Sequence, residues 1–409
     1  NISNLDRKIF LSHITNKEIP YIIVDNPKFY IRLAEIWNNI SLMKLKYFIK
    51  YKLIANFTHV LNDYYLNLDF NFYAKTLRGQ QLIKPIDEQA ISLIDNHLGE
   101  LLGQLYIKNH FNKESKIYLE KMVKKFNNVF KKRINNLDWM SNETKINAHK
   151  KNEAFKYKIG YPEVWREYNI DLNKSNLIDM ILELRLNNFN HNMRNLNGKP
   201  DLNEWEMNTY EVNAYFHPLK NEIVFPAGIL QKPYFDLNNS DSQNYGGIGV
   251  IIGHEMSHSY DDKGSKYDWN GELNNWWKEE DLIKFKKKTL YYENEFNNSV
   301  YKGKNINGKL TLGENIADHG GIKIAYQALL EKNQNLSKKE KQNFFITYAK
   351  IWKNNITDEE ANHRIITDPH ALGLFRVNTT LANIKEFHEV FNINENDHMY
   401  RKKPEFIWG

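Results

Sequence analysis

The chain has 409 residues, 41% hydrophobic and 26% charged, the balance of a folded protein large enough for two or three domains rather than of a disordered chain. It contains no cysteine, which excludes disulfides, thiolate metal sites and cysteine nucleophiles, so any metal must be held by His, Asp and Glu. The net charge of +6 comes from scattered lysines, which offer nucleic acid no basic block, and no run of about 18 apolar residues is present to span a membrane. A protein without a membrane span in this chain and without a nucleic-acid partner is expected, cytoplasmic, periplasmic or secreted. No leader pattern is visible, and a start at Asn1 suits a mature or cut form.

In chain order, residues up to about 155 read as successive helices. "NPKFYIRLAEIWNNI" opens on an Asn-Pro start signal and carries Phe29, Leu33 and Ile36 on one face. "KIYLEKMVKKFNNVFKKRINNL" spaces Tyr118, Met122, Val123, Phe126 and Phe130 as the buried face of a helix, with its lysines solvated opposite. The texture changes near residue 200, which divides the chain into a mostly helical lobe, 1–200, and a second domain, 201–409. "EVNAYFHPLKNEIVFPAG" reads as a hairpin of two extended runs, Val212–Phe216 and Glu222–Phe225, around a proline-containing turn. A helix then passes through Gly246-Gly247 into "GHEMSHSYDD", with Ile248, Ile251, Ile252 and Met256 as its apolar stripe.

That last stretch carries the chemistry. His254 and His258 lie one helical turn apart and can turn their imidazoles onto one ion, while Glu255 can reach a metal-bound water without being a ligand. A hydrolytic zinc takes a third protein ligand and keeps one position open. Glu314, in "TLGENIADHGG" at the start of a second helix, is the candidate. Asp318, one turn further on, and Asp261, just past the first motif, can accept the outer N–H of the two histidines and fix their tautomers. The result is one Zn2+ per chain on a hard-ligand site of the HExxH…E type.

Five segments in this order, "VNAYF", "NEIVFPAGIL", "NYGGIGVIIGHEMSH", "LGENIADHGG" and "DPHALGLFRVNTTLANIKEF", resemble the neprilysin and endothelin-converting-enzyme family of zinc metallopeptidases. "LDWMSNETKINAHKK" and "KIGYP" extend the likeness over nearly the whole chain. The resemblance implies a mainly α (α+β), two-lobed fold. A thermolysin-like catalytic lobe with a small β edge would be joined by an all-helical lobe enclosing the active-site cavity. It implies an endopeptidase that cuts short peptides on the amino side of hydrophobic residues. Residue by residue it implies His254, His258 and Glu314 as zinc ligands, Glu255 as general base and His370 as the donor to the oxyanion. It also implies Asp318, counted with the catalytic group, and Asp261 as orienting carboxylates. Asn213 and Ala214 match the edge pair that binds the substrate backbone, and Arg376 the arginine that holds the carbonyl beyond the cut. Ile251, Trp352 and the Tyr234-Phe235 pair match the walls of the pocket for the residue after the cut.

The sequence departs from the family pattern in places. Leu372 stands where a proline is usual, loosening the loop that carries His370. His217 and His319 replace asparagines and read as neutral changes. The cysteines of animal members are missing, which suits a bacterial-type relative or one that never relied on disulfides. The family's N-terminal part is incomplete, which implies either a separate N-terminal fragment that stays bound or a reduced form with a more open site. The rival reading from another class is an inactive family member that grips peptides; Glu255, Glu314 and His370, all present, count against it.

Overall fold

The computed structural model describes residues 22–196 and 201–408, together with 11, 12, 14, 15 and 19. In chain order the main elements are α1 (Pro27–Asn39), α2 (Leu42–Ala55), α3 (Asp63–Asp69), α4 (Ile86–His110), α5 (Lys113–Asn136), α6 (Asn142–Glu153), β1 (Lys156–Gly160) and α7 (Leu177–Arg194). They continue as β2 (Tyr215–His217), β3 (Glu222–Pro226), α8 (Val250–His258), α9 (Glu279–Asn297), α10 (Leu312–Lys332), α11 (Lys338–Ile351), α12 (Asp358–Thr367), α13 (Gly373–Ala382) and α14 (Lys385–Phe391). The fold is mainly helical with a small sheet, as expected.

The chain divides into two compact units. The described residues of the first fall within Asn1–Thr76, Gln80–Ile83 and Glu167–Leu202, and hold α1, α2, α3 and α7. The second takes Leu77–Gly79, Lys84–Arg166 and Asn203–Gly409. This division by contacts differs from the expected one at residue 200, which adjoins residues 197–200, outside the described set. Helices α4 to α6 and strand β1, assigned by chain order to the helical lobe, belong to the second unit. The physical reason is the apolar face of α5. Asn112 caps that helix by accepting from Ser115 N at 2.8 Å. Met122, Val123, Phe126 and Phe130 are then buried in the same core as Ile248, Ile251, Ile252 and Met256.

The sheet is ordered β1-β3-β2. β2 pairs antiparallel with β3, Tyr215 opposite Val224, which is the expected hairpin. β1 pairs parallel with the other side of β3, Lys156 opposite Glu222. Among the described strands β2 is therefore an edge, the position at which a sheet can take a further strand.

The segment into the metal motif is not one straight helix. A short turn, Asp241–Asn244, leads into a wider turn, Tyr245–Gly249, with non-helical backbone at Gly247, before α8 begins. Gly247 is required there, because a Cβ would stand 2.3 Å from Tyr234 O. Further along, α8 crosses α10 at two glycines. A Cβ on Gly321 would lie 2.6 Å from Val250 O and 2.7 Å from His254 N. This backbone-to-backbone approach brings Glu314 within reach of the two histidines.

Candidate metal centre

His254 and His258 project from the same face of α8, with their Nε2 atoms 3.0 Å apart. From α10, Glu314 Oε2 lies 3.2 Å from His254 Nε2 and 3.4 Å from His258 Nε2. Behind the rings, Asp318 Oδ1 meets His254 Nδ1 at 2.8 Å and Asp261 Oδ2 meets His258 Nδ1 at 2.7 Å. An ionised carboxylate can only accept, so each Nδ1 carries the proton and each Nε2 presents a lone pair to the centre.

With both rings neutral, three acceptors converge with no proton between them, which is the arrangement a cation completes. Glu314 Oε2 is buried and has no hydrogen-bond partner among the described residues, a costly state for a carboxylate oxygen unless a cation meets it. The donor set of two imidazoles and one carboxylate fits zinc. The electrostatics agree. Burial alone would raise the Glu314 carboxyl, but His258, His254 and His370 hold it well below the usual range. Burial would likewise lower both ligating histidines, yet Asp318, Asp261 and Glu314 raise them, a sign of excess negative charge at the centre.

Glu255 is buried beside the ligands, and burial raises its pKa against the opposing pull of His254 and His258. His370, on the loop before α13, places Nε2 3.2 Å from Glu314 Oε2. Sequence reasoning overlooks what orients it. Asp368 Oδ1 accepts from His370 Nδ1 at 2.8 Å and from its backbone N at 2.9 Å, and Arg364 Nε donates to the other oxygen at 2.8 Å. The available signal was the Asp-x-His spacing. Leu372 is itself buried, packed with Ile365 and Phe375, so apolar contact anchors this loop where a proline would have stiffened it.

Arg376 serves the centre from behind. Its Nε donates to Asp318 Oδ2 at 2.7 Å and its Nη2 to Oδ1 at 2.6 Å, while the guanidinium stands 3.7 Å over the Trp352 ring. Both Asp318 oxygens are taken in this way and the residue is 1% exposed. Asp318 is thus enclosed between the His254 ring and the Arg376 guanidinium.

A cavity of about 560 Å³ gathers most of the expected site residues: His254, Glu255, His258, Glu314, His370 and Arg376, with Asn213, Ala214, Ile251, Tyr234 and Trp352 around them. Phe235 is the exception. It points into the core, 3% exposed and packed on Tyr118, because neighbouring residues in this turn face opposite ways and Tyr234 takes the cavity side. Asn213 and Ala214 lie just ahead of β2 rather than within it, and Ala214 N donates to the Asn213 side chain at 2.9 Å.

Fold and site together present a helix-borne candidate metal centre of two histidines and one glutamate beside a sheet edge. Two models of Peptidase family M13 match the chain, one over residues 1–162 and one over 213–406, and the chain belongs to that family. It is 32% identical to an endothelin-converting enzyme homolog of Locusta migratoria, over 95% of this chain and 56% of the relative. It is also 32% identical to Homo sapiens neprilysin, over 97% of this chain and 55% of the relative. Among solved structures it is similar to the Mycobacterium tuberculosis zinc metalloprotease Zmp1, with a TM-score of 0.90 at 31% identity, covering 94% of this chain and 60% of that one. It is similar too to PepO of Lactobacillus rhamnosis, with a TM-score of 0.82 at 33% identity, covering 87% and 56%. The chain thus spans little more than half the length of these curated relatives. None of its described helices is long and apolar enough to cross a membrane.

Proposed function

We propose that this chain is a zinc endopeptidase that hydrolyses short peptides on the amino side of hydrophobic residues. The observation that carries the reading is the convergence of His254 Nε2, His258 Nε2 and Glu314 Oε2 in the same cavity as Glu255 and the residues leading into the β2 edge. Zinc, when bound by these three residues, supplies a Lewis acid that polarises the scissile carbonyl and acidifies water.

The chain's own groups do the rest. A peptide laid along β2 would be held mainly through its backbone, so selectivity would rest on one side-chain pocket. Ile251, Tyr234 and Trp352 make the cavity wall apolar, which favours a hydrophobic residue just after the cut. Glu255 takes the proton of the attacking water and returns it to the leaving amine; its raised pKa suits a base that must also act as an acid. His370, whose Nδ1–H is committed to Asp368, donates to the oxyanion from Nε2 as the imidazolium. Asp318 and Asp261 hold the two ligating rings in the correct tautomer.

The test is cleavage of a quenched fluorescent peptide library by the purified chain, with and without a zinc chelator, and cut sites mapped by mass spectrometry. Chelator-sensitive cutting before large apolar residues is expected. Intact peptides in the presence of stoichiometric zinc would instead support the peptide-gripping reading.

A further inference from the structure

Outside the metal ligands and their partners, one charged group is buried deeper than its chemistry tolerates without a reason. Lys151, on α6, is 1% exposed. Its Nζ donates to Ser259 O at 2.7 Å, Gly264 O at 2.8 Å and Tyr267 O at 2.6 Å. Three carbonyls need three donors from one atom, and among side chains only an ammonium supplies them. The rings of Phe216, Tyr260 and Trp276 surround it at 6.0, 5.5 and 5.9 Å. Burial lowers its pKa to about 7, with Asp261 and Asp268 pulling the other way.

The three carbonyls belong to one segment, residues 259–267, the loop that leaves the metal helix. Asp261 sits in it, and its second oxygen, Oδ1, accepts from Lys263 N at 2.8 Å and Gly264 N at 2.7 Å. The connection is therefore continuous. Lys151 holds the Gly264 carbonyl, the Gly264 amide holds Asp261, and Asp261 holds the His258 ring. A second branch runs to the peptide edge. Asn221, in the turn of the β2–β3 hairpin, donates to Lys151 O at 2.8 Å and accepts from Ser259 Oγ at 3.4 Å.

We infer that Lys151 is a positioning residue of the metal centre, clamping the 259–267 loop so that Asp261 keeps His258 in its metal-binding orientation. The inference rests on the metal reading of the site and touches neither metal nor substrate. A lysine that only filled space or tied α6 to the loop would behave differently. The Tyr260 hydroxyl, which donates to Ala148 O at 2.7 Å, makes the same connection between α6 and the loop without engaging Asp261, and so supplies the control.

The experiment is a zinc competition titration against a chromophoric chelator, with thermal unfolding of the metal-free chain measured in parallel. Losing an orienting partner weakens metal affinity by roughly 10–100-fold, and Lys151→Met should fall in that range while still melting cooperatively. Tyr260→Phe should lose comparable stability and stay within about threefold of wild type, since it leaves that partner untouched. Lys151→Arg, whose planar fork cannot serve three carbonyls around one atom, should weaken zinc about tenfold and stands in if the methionine variant does not fold. Wild-type zinc affinity in either folded Lys151 variant overturns the proposal. So does a loss that merely tracks stability and is shared by Tyr260→Phe. A wild-type chain that binds no zinc overturns the metal reading of the site, and the proposal with it.

Discussion

The two units use the same helical code to different ends. In the second unit the apolar faces packed around the metal-motif helix are consumed, Phe126, Phe130, Ile248 and Ile252 being at most 1% exposed, although α4 leaves Ile86, Ile91 and Leu105 in solvent. In the first unit the helices are capped just as well, with Asn26, Ser41 and Asn62 each accepting from the backbone of the first turn. Yet Phe29 is 56% and Trp37 57% exposed, and among that unit's described residues Ala34, Ile181 and Leu184 are the buried apolar ones. Local signals decide that a helix forms. Burial decides whether it contributes stability, and a metal centre built to sub-ångström tolerance requires the buried kind.

Mutation can sharpen that contrast. The largest effect is expected at Phe126, where truncation to alanine opens the centre of the core and should cost about 3–5 kcal/mol in denaturant unfolding. Next comes Gly321→Ala, which forces α8 and α10 apart. It should cost about 1–3 kcal/mol as overpacking does, and lose zinc affinity as well, because His254 and Glu314 separate; unchanged affinity would contradict the close-crossing account. A third effect depends on pH. His319 is fully enclosed, and burial, reinforced by Lys323, lowers its pKa to about 3. Between that value and the ordinary one near 6.5 the unfolded chain binds the proton and the folded chain does not. Stability is then full above about pH 6.5 and falls toward pH 3, by up to about 1.4 kcal/mol per unit. His319→Asn should flatten that slope in thermal melts run from pH 7 to 4; an unchanged slope would assign it elsewhere. The smallest effect is expected at Phe29, where alanine should change stability by no more than about 0.5 kcal/mol because the ring is already exposed.

The parts of the site legible in the sequence are those set by local periodicity. His254 and His258 share a face because a helix turn returns there, and Asp318 follows Glu314 by the same rule. The roles of His370 and Arg376 came from family likeness, and the structure brings both side chains to the centre. What escaped depends on contacts that chain order does not encode. Strand β1 is five residues of mixed character whose pairing with β3 appears only when α5 and α6 have folded back. The same folding places residues 84–166 in the second unit, since nothing in the pattern of α5 says which core its face joins. Phe235 and Tyr234 are indistinguishable by composition, and only the fold shows that Tyr234 lines the cavity while Phe235 packs in the core. Lys151 reads as one lysine among many until three carbonyls close around it. His319, which looks neutral beside an asparagine, becomes a titrating burden once enclosed.

The central claim is that Glu255 performs proton transfer at a metal held by His254, His258 and Glu314. It is tested most directly by comparing wild type and Glu255→Gln at equal zinc content on one fluorogenic peptide cleaved by the wild type. Loss of a positioned acid–base group costs about 10²–10⁴-fold, so kcat should fall by that factor while bound zinc and KM stay close to wild type. A variant that keeps wild-type kcat, or loses zinc along with activity, would contradict the account.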